Sequence, residues 1–470
     1  MITVKKDKEQ FQKDQDNILK FILDERFFKP WQETFSSEEE RKYSLYKEAR
    51  LELYLTSICN QKCEYCYLVK YPGLYPKEQN KPEIILHNLE LIYQWIIDNN
   101  FCIQETDFFT GEIWHSQFGL DVLELTLQYL QKGMRIGGFM IPSNCSFILD
   151  EIQTCKIQRY INKFKQVGSY LMFSVSVDGK VIENEMRPLN SKVEKTDEFY
   201  ERLMLFIQHN DYYIHPMVAA KSAKNWIENY KWWRDILAEY DMDVRQRVML
   251  LEVRNDDWTD EYIDDYNAFM KFLIDEDIKH YNGNVSTFIN QFFTGQISDR
   301  RMGYTPFIPI KCDTFAGCTV SNTLTIRVGD LAIAPCHRTS YNKLLYGHFD
   351  VEDDKIVDIT SNNVYNAIRV LMANNNVCHF GCDTCLYGPF CLHGCFGAQY
   401  EHNGDMFMPT PEVCHFFKRK WQFLANYLNE VGALDYMRSF NEYSPYYMDM
   451  QRIITWCEQV MEDSKNVGTI

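Results

Sequence analysis

Nowhere in the 470 residues does an uninterrupted apolar run approach the roughly 18 needed to cross a bilayer, which argues against a membrane-spanning helix. The opening residues, MITVKKDKEQ, lack the apolar stretch of a signal peptide. A soluble, cytoplasmic chain with no membrane partner is expected. A surplus of basic charge is also missing: 49 Lys and Arg stand against 66 Asp and Glu, giving −17. Without a basic surface to replace counterions, a broad nucleic-acid interface is not expected. The acidic balance suits a basic or neutral partner, or reflects solvated helix faces. Internal repeats and low-complexity tracts are absent too. With 46 % hydrophobic and 15 % aromatic residues the chain can bury a large core, and its length fits two or three domains.

Cysteine is abundant instead. Sixteen are present, and in a reducing compartment cysteines at short spacing point to metal rather than disulfides. Residues 51–68 read LELYLTSICNQKCEYCYL, so that Cys59, Cys63 and Cys66 leave an alternating strand-like run as C-x3-C-x2-C, with Tyr65 directly before the last. Three thiolates this close can hold three irons of a [4Fe-4S] cube and leave the fourth open. A structural zinc site is the alternative, but no fourth ligand lies nearby to complete a tetrahedron.

The spacing resembles the signature of the radical S-adenosylmethionine (SAM) superfamily. In that family SAM chelates the open iron, and an electron from the cluster cleaves it to a 5′-deoxyadenosyl radical that abstracts a substrate hydrogen. The resemblance implies a partial (β/α)6 TIM-like barrel with its active groups at strand C-terminal ends. From residue 51 on, short apolar strands do alternate with amphipathic segments. Strands are expected at 51–57, 106–110, 138–143, 170–177, 212–219 and 245–252, with helices at 117–132 and 198–209, and an N-terminal helix over 11–28 with a further start at Ser36 or Ser37.

Further motifs follow from the same resemblance. Thr110-Gly111-Glu112 is similar to the family's Gly-Gly-Glu turn, which would give Gly111 and Glu112 to SAM's ammonium, although threonine replaces the first glycine. Ser143-Asn144-Cys145 stands where relatives often have Thr-Asn-Gly, making Asn144 a cofactor-binding candidate, with Cys145 expected to be a small core residue. The element Ser174 to Gly179 resembles Ser-x-Asp-Gly, with Ser176 near the SAM ribose or carboxylate. Arg187 would pair with the carboxylate through its planar fork, or be an ordinary surface arginine. Tyr65 completes the cofactor-binding set. Glu252 either faces the pocket or is buried against a basic partner. Trp258, Tyr262, Tyr266, Phe269 and Leu273 fall at helical spacing and predict a helix packed on its neighbours.

Beyond residue 310 the pattern changes. Cys312, Cys318 and Cys336 come first, the last two around a hairpin-like run turning at Gly329-Asp330; then Cys382, Cys385, Cys391 and Cys395 follow as C-x2-C-x5-C-x3-C, and Cys414 later. The order resembles the SPASM extension of radical SAM enzymes. That likeness implies two auxiliary [4Fe-4S] clusters, one on Cys312, Cys318, Cys336 and Cys395, the other on Cys382, Cys385, Cys391 and Cys414; zinc is again the alternative. Two departures are a longer Gly329-to-Cys336 spacing and the extra Cys378. Cys102, Cys155 and Cys457 have no partner pattern and are expected to be structural.

The expected organisation is a helical segment at 1–48, the α/β barrel at 49–305, the cysteine-rich SPASM domain at 306–425 and a helical tail at 426–470. The cofactors implied are SAM and three [4Fe-4S] clusters, with an external electron donor of flavodoxin or ferredoxin type. SPASM enzymes mostly modify peptides or proteins, so the partner would be a ribosomally made precursor peptide that receives an oxidative thioether or carbon–carbon cross-link. The alternative within the family is sulfatase maturation, oxidising cysteine or serine to formylglycine. That type uses a carboxylate base directly after the third cysteine of its first auxiliary set; here that place is His337, which argues against that activity, though histidine can also take a proton near neutral pH. A non-catalytic iron–sulfur electron carrier or a zinc-stapled binding protein is the alternative of another class.

Overall fold

The computed structural model describes residues 50–72, 81–109, 111–191, 194–253, 256–290, 323–334, 336–341, 344–345, 347–361, 385–387, 395–404, 410–439, 442 and 447–467. The helix expected over 11–28 and the start at Ser36 or Ser37 lie outside them. Eleven strands are found among the described residues: β1 (Arg50–Tyr54), β2 (Cys102–Asp107), β3 (Arg135–Ser143), β4 (Tyr170–Val175), β5 (Tyr213–Ile214), β6 (Met217–Val218), β7 (Leu251–Glu252), β8 (Thr323–Arg327), β9 (Ala332–Ala334), β10 (Gly347–Glu352) and β11 (Lys355–Ser361). The chain divides into two compact units.

The first unit comprises Met1–Val177, Glu183–Ile214 and Cys318–Asn376 and holds a nine-stranded sheet in the order β11-β10-β9-β8-β1-β2-β3-β4-β5. From β8 through β1 to β5 every pairing is parallel, and β9 to β11 add antiparallel strands at the β8 side. The parallel strands need crossover helices: α1 (Pro82–Asp98), α2 (Phe118–Gln131), α3 (Glu151–Gln166) and α4 (Asp197–Asn210). Local chemistry sets their starts. Pro82 opens α1, where its missing N–H costs nothing, and the Asp150 carboxylate accepts from the N–H groups of Ile152 and Gln153 to cap α3. Leu53, Phe139, Ile141, Phe173 and Ile326 are buried, and Phe108 stacks on Phe139 with ring centroids 5.3 Å apart. Consecutive strand ends are thereby held side by side.

Two strand expectations change. The run 212–219 is split into β5 and β6 around Pro216, whose ring nitrogen cannot donate to a ladder. The sixth parallel strand of the sheet is β8, paired with β1 from Arg50↔Thr323 to Tyr54↔Arg327, while 245–252 contributes only the two-residue β7. The hairpin at Gly329-Asp330 forms as expected, β8 pairing antiparallel with β9.

The second unit comprises Asp178–Ile182, His215–Gly317 and Val377–Ile470. In it β6 pairs parallel with β7, and the main helices are α5 (Trp226–Glu239), α6 (Asp260–His280), α7 (Pro411–Glu430) and α8 (Tyr447–Val467). Aromatic rings fill its interior: Trp226 stacks on Phe269 at 5.6 Å and Trp258 on Phe416 at 4.2 Å. The helix read from the 258–273 aromatics is α6, with Tyr266, Phe269 and Leu273 buried. Glu252 is buried against a basic partner, the Lys420 ammonium lying 2.6 Å from its carboxylate.

Candidate functional site

The chain leaves β1 through Leu55 and Thr56 into the loop that carries Cys59, Cys63 and Cys66. Two neighbours fix this loop. On one side it runs beside 186–190: Lys62 N–H donates to Pro188 O (3.0 Å), Glu64 N–H to Met186 O (2.9 Å), and Asn190 N–H to Asn60 O (2.8 Å). On the other, the Asn144 side-chain amide donates to Asn60 Oδ1 and the Asn60 amide to Ser146 Oγ, both at 2.7 Å. All three thiols are half-buried, and none is in a disulfide.

They line a cavity of about 540 Å³ together with Gly111, Glu112, Asn144, Ser176 and Arg187. The residues picked out at four successive strand ends thus converge on one space. Gly111 is pressed against the loop, its N–H donating to Thr56 O at 2.9 Å, and a Cβ there would lie 1.9 Å from Ile58 O. Glu112 N–H donates to Ile58 O at 2.8 Å. The Glu112 carboxylate is buried and accepts from Asn144 N–H (2.7 Å) and from Ser143 Oγ (3.1 and 3.2 Å to its two oxygens). Burial nevertheless outweighs these donors and the Lys195 charge, raising its pKa to about 7. Ser176 N–H donates to Ser143 O at 2.7 Å, joining the ends of β3 and β4. The Arg187 guanidinium lies over the Tyr65 ring, 5.2 Å from its centroid.

The donor set fits an iron–sulfur cluster bearing a chelating ligand. Among the described residues no three His, Cys, Asp or Glu side chains gather into a site for a single metal ion. The three thiols line one partly polar cavity with room for a cube and a ligand beside it. Burial pushes the Cys59 thiol up to about 12 and raises Cys66 as well.

Other candidates are distributed differently. In the first unit, Cys336 opens a short turn in which its N–H donates to Thr339 Oγ1 at 3.0 Å. His337 does not line the cavity; it stacks on Phe109 with centroids 3.9 Å apart, and its Nδ1 lies 3.4 Å from the buried Glu52 carboxylate. In the second unit, Cys385 and Cys414 are exposed free thiols, and Cys385 is near enough to raise the Cys414 pKa after burial has done so. Cys395 is half-buried at the start of a helix. Cys312, Cys318, Cys378, Cys382, Cys391 and Thr110 lie outside the described residues. Asp178 and Gly179 of the Ser-x-Asp-Gly element are structural: Asp178 O accepts from Trp233 Nε1 (2.9 Å) and the Asn229 amide (2.7 Å). Cys145 is a buried core residue with φ +56°, and Cys457 is buried, but Cys102 and Cys155 are exposed and fill no core.

Sequence reading passes over Asn60, Asn190, Glu183 and Lys195. Asn60 adjoins Cys59 and was within reach; the other three are placed by tertiary contacts that leave no local pattern.

No protein-family model matches the chain, and no curated protein does. Among solved structures it is similar to an anaerobic sulfatase-maturing enzyme, anSMEcpe, with bound AdoMet and the Cp18Cys peptide: 18 % identity, TM-score 0.54, covering 82 % of this chain and 99 % of that one. The same enzyme with AdoMet alone (17 %, TM-score 0.53) and with AdoMet and the Kp18Cys peptide (17 %, TM-score 0.53) match over the same shares. That enzyme is a radical SAM SPASM enzyme. At this identity the likeness establishes the fold: a mixed α/β chain with a large, mainly parallel sheet.

Proposed function

We propose that this chain is a radical SAM enzyme acting on a peptide or protein, and that it installs an intramolecular oxidative cross-link in a ribosomally made precursor. The observation that carries the reading is the single cavity onto which Cys59, Cys63, Cys66, Gly111, Glu112, Asn144, Ser176 and Arg187 all open. Cys59, Cys63 and Cys66 would hold the cluster. When bound there, SAM and the reduced cluster that donates an electron to it would supply a hydrogen-abstracting radical. The chain's own groups bind and orient SAM: the Glu112 carboxylate receives an ammonium, Arg187 a carboxylate, and Gly111 offers close backbone approach.

Hydrogen abstraction leaves a substrate radical that must shed one more electron to give an oxidised product. The eight cysteines of the auxiliary sets, if all ligating, leave no open iron and suit electron relay to an external flavodoxin- or ferredoxin-type donor–acceptor. A peptide partner is supported by the peptide-bound structures that the fold resembles. Those structures also favour a second reading, formylglycine formation. In either case His337, beside the Glu52 carboxylate at 3.4 Å, is the candidate proton acceptor.

Co-expression with short peptides encoded beside the gene, followed by mass spectrometry, tests the choice. Loss of two hydrogens without a new aldehyde supports the cross-link. Conversion of a thiol to an aldehyde supports the second reading, and an unmodified peptide set argues against the first.

A further inference from the structure

Behind the cavity in the first unit lies a buried ion pair that no motif announces. The Lys195 ammonium meets the Glu183 carboxylate, with side chains 1 % and 0 % exposed. Each partner also reaches a cavity residue. Lys195 Nζ donates to Asn144 O at 3.3 Å, and Glu183 O accepts from Arg187 N–H at 2.7 Å. Asn144 in turn donates its own N–H to Glu112 at 2.7 Å and its side-chain amide to Asn60 in the cysteine loop. Chain segments are locked to match: Lys195 N–H donates to Asn184 Oδ1 at 3.0 Å, and the Asn184 amide donates to Lys195 O at 3.3 Å.

The result is an unbroken buried line, Glu112 to the Asn144 backbone to Lys195 to Glu183 to the Arg187 backbone. At one end is the Glu112 carboxylate assigned above to SAM's ammonium, and at the other the main chain of Arg187, the residue assigned to SAM's carboxylate. We infer that Lys195 and Glu183 are positioning residues that set the spacing between Glu112 and Arg187, and so determine how the methionyl end of SAM is held. This rests on the proposed function. A buried pair contributes little net stability over an apolar pair of similar volume, so stability alone does not account for keeping two charges there. Geometry does: a salt bridge has direction, its ammonium is bonded onward to Asn144 O, and its carboxylate anchors the turn whose carbonyl, Glu183 O, receives the Arg187 N–H.

The test compares wild type with Lys195→Met, Glu183→Gln and the charge-free double variant Lys195→Met/Glu183→Leu, each reconstituted anaerobically with iron and sulfide. Three quantities are read: thermal midpoint, SAM affinity by equilibrium dialysis, and the change SAM causes in the electron paramagnetic resonance spectrum of the reduced cluster. The expected result is a double variant that folds with full iron content but binds SAM at least about tenfold more weakly, with an altered spectral change. A double variant that binds SAM as wild type does, with the same spectral change, overturns the inference while leaving the functional reading intact. A wild-type protein that binds no SAM overturns the functional reading and the inference together. If the single variants fail to fold, the double variant still decides.

Discussion

Gly111 and Ile58 approach so closely that a Cβ on residue 111 would stand 1.9 Å from the Ile58 carbonyl oxygen. Ile58 is the residue before Cys59, so any side chain at 111 displaces the start of the cysteine loop. Gly111→Ala is therefore expected to cost about 1–3 kcal/mol and to lower the iron bound by the loop, a loss of about four irons per chain. Iron analysis and thermal unfolding check it; unchanged iron and unchanged SAM affinity would contradict the role given to this contact.

Glu112 gives a pH signature. Its pKa is raised from the usual 4.5 to about 7 because burial penalises the charged form. A raised folded-state value means that its contribution to stability is largest below about pH 4.5 and is lost as pH rises toward about 7. In cluster-free protein the loss is on the order of 3 kcal/mol. Glu112→Gln should flatten this decline, seen in urea titrations across the interval, while weakening SAM binding in the reconstituted protein. A variant with the wild-type pH slope would show that Glu112 is not the group responsible.

Arg187 lies over Tyr65 and beside the thiols. Arg187→Lys keeps the charge but loses the planar fork, and should weaken SAM by about 1.5–3 kcal/mol, roughly ten- to a hundredfold. Equilibrium dialysis measures it. Retained affinity would return Arg187 to a purely structural part.

The second unit offers an independent check. The Cys385 charge helps to raise the Cys414 pKa, and both belong to the set proposed to hold one auxiliary cluster. Cys414→Ala should reduce iron from about twelve to about eight per chain and leave SAM binding unchanged. Zinc in place of iron after anaerobic purification would refute both auxiliary clusters.

Much of the site is legible in the sequence because it is built at strand ends. Cys59, Gly111, Asn144 and Ser176 each follow an apolar run of the right length, and a parallel sheet sets those ends side by side. What is hidden depends on contacts far apart in sequence. Thr325 Oγ1 donates to Glu52 at 2.7 Å across 273 residues because β8 pairs with β1, and nothing in either segment announces that pairing. The split at Pro216 was legible in principle, since proline interrupts a ladder. Lys195 and Glu183 read as ordinary surface charges, and only tertiary burial makes them partners.

The most direct measurement is 5′-deoxyadenosine formation. Protein reconstituted anaerobically, reduced with dithionite and given SAM should release 5′-deoxyadenosine and methionine, and Cys59→Ala, Cys63→Ala and Cys66→Ala should each abolish it. Release of neither product by wild-type protein carrying its full iron complement would contradict the account.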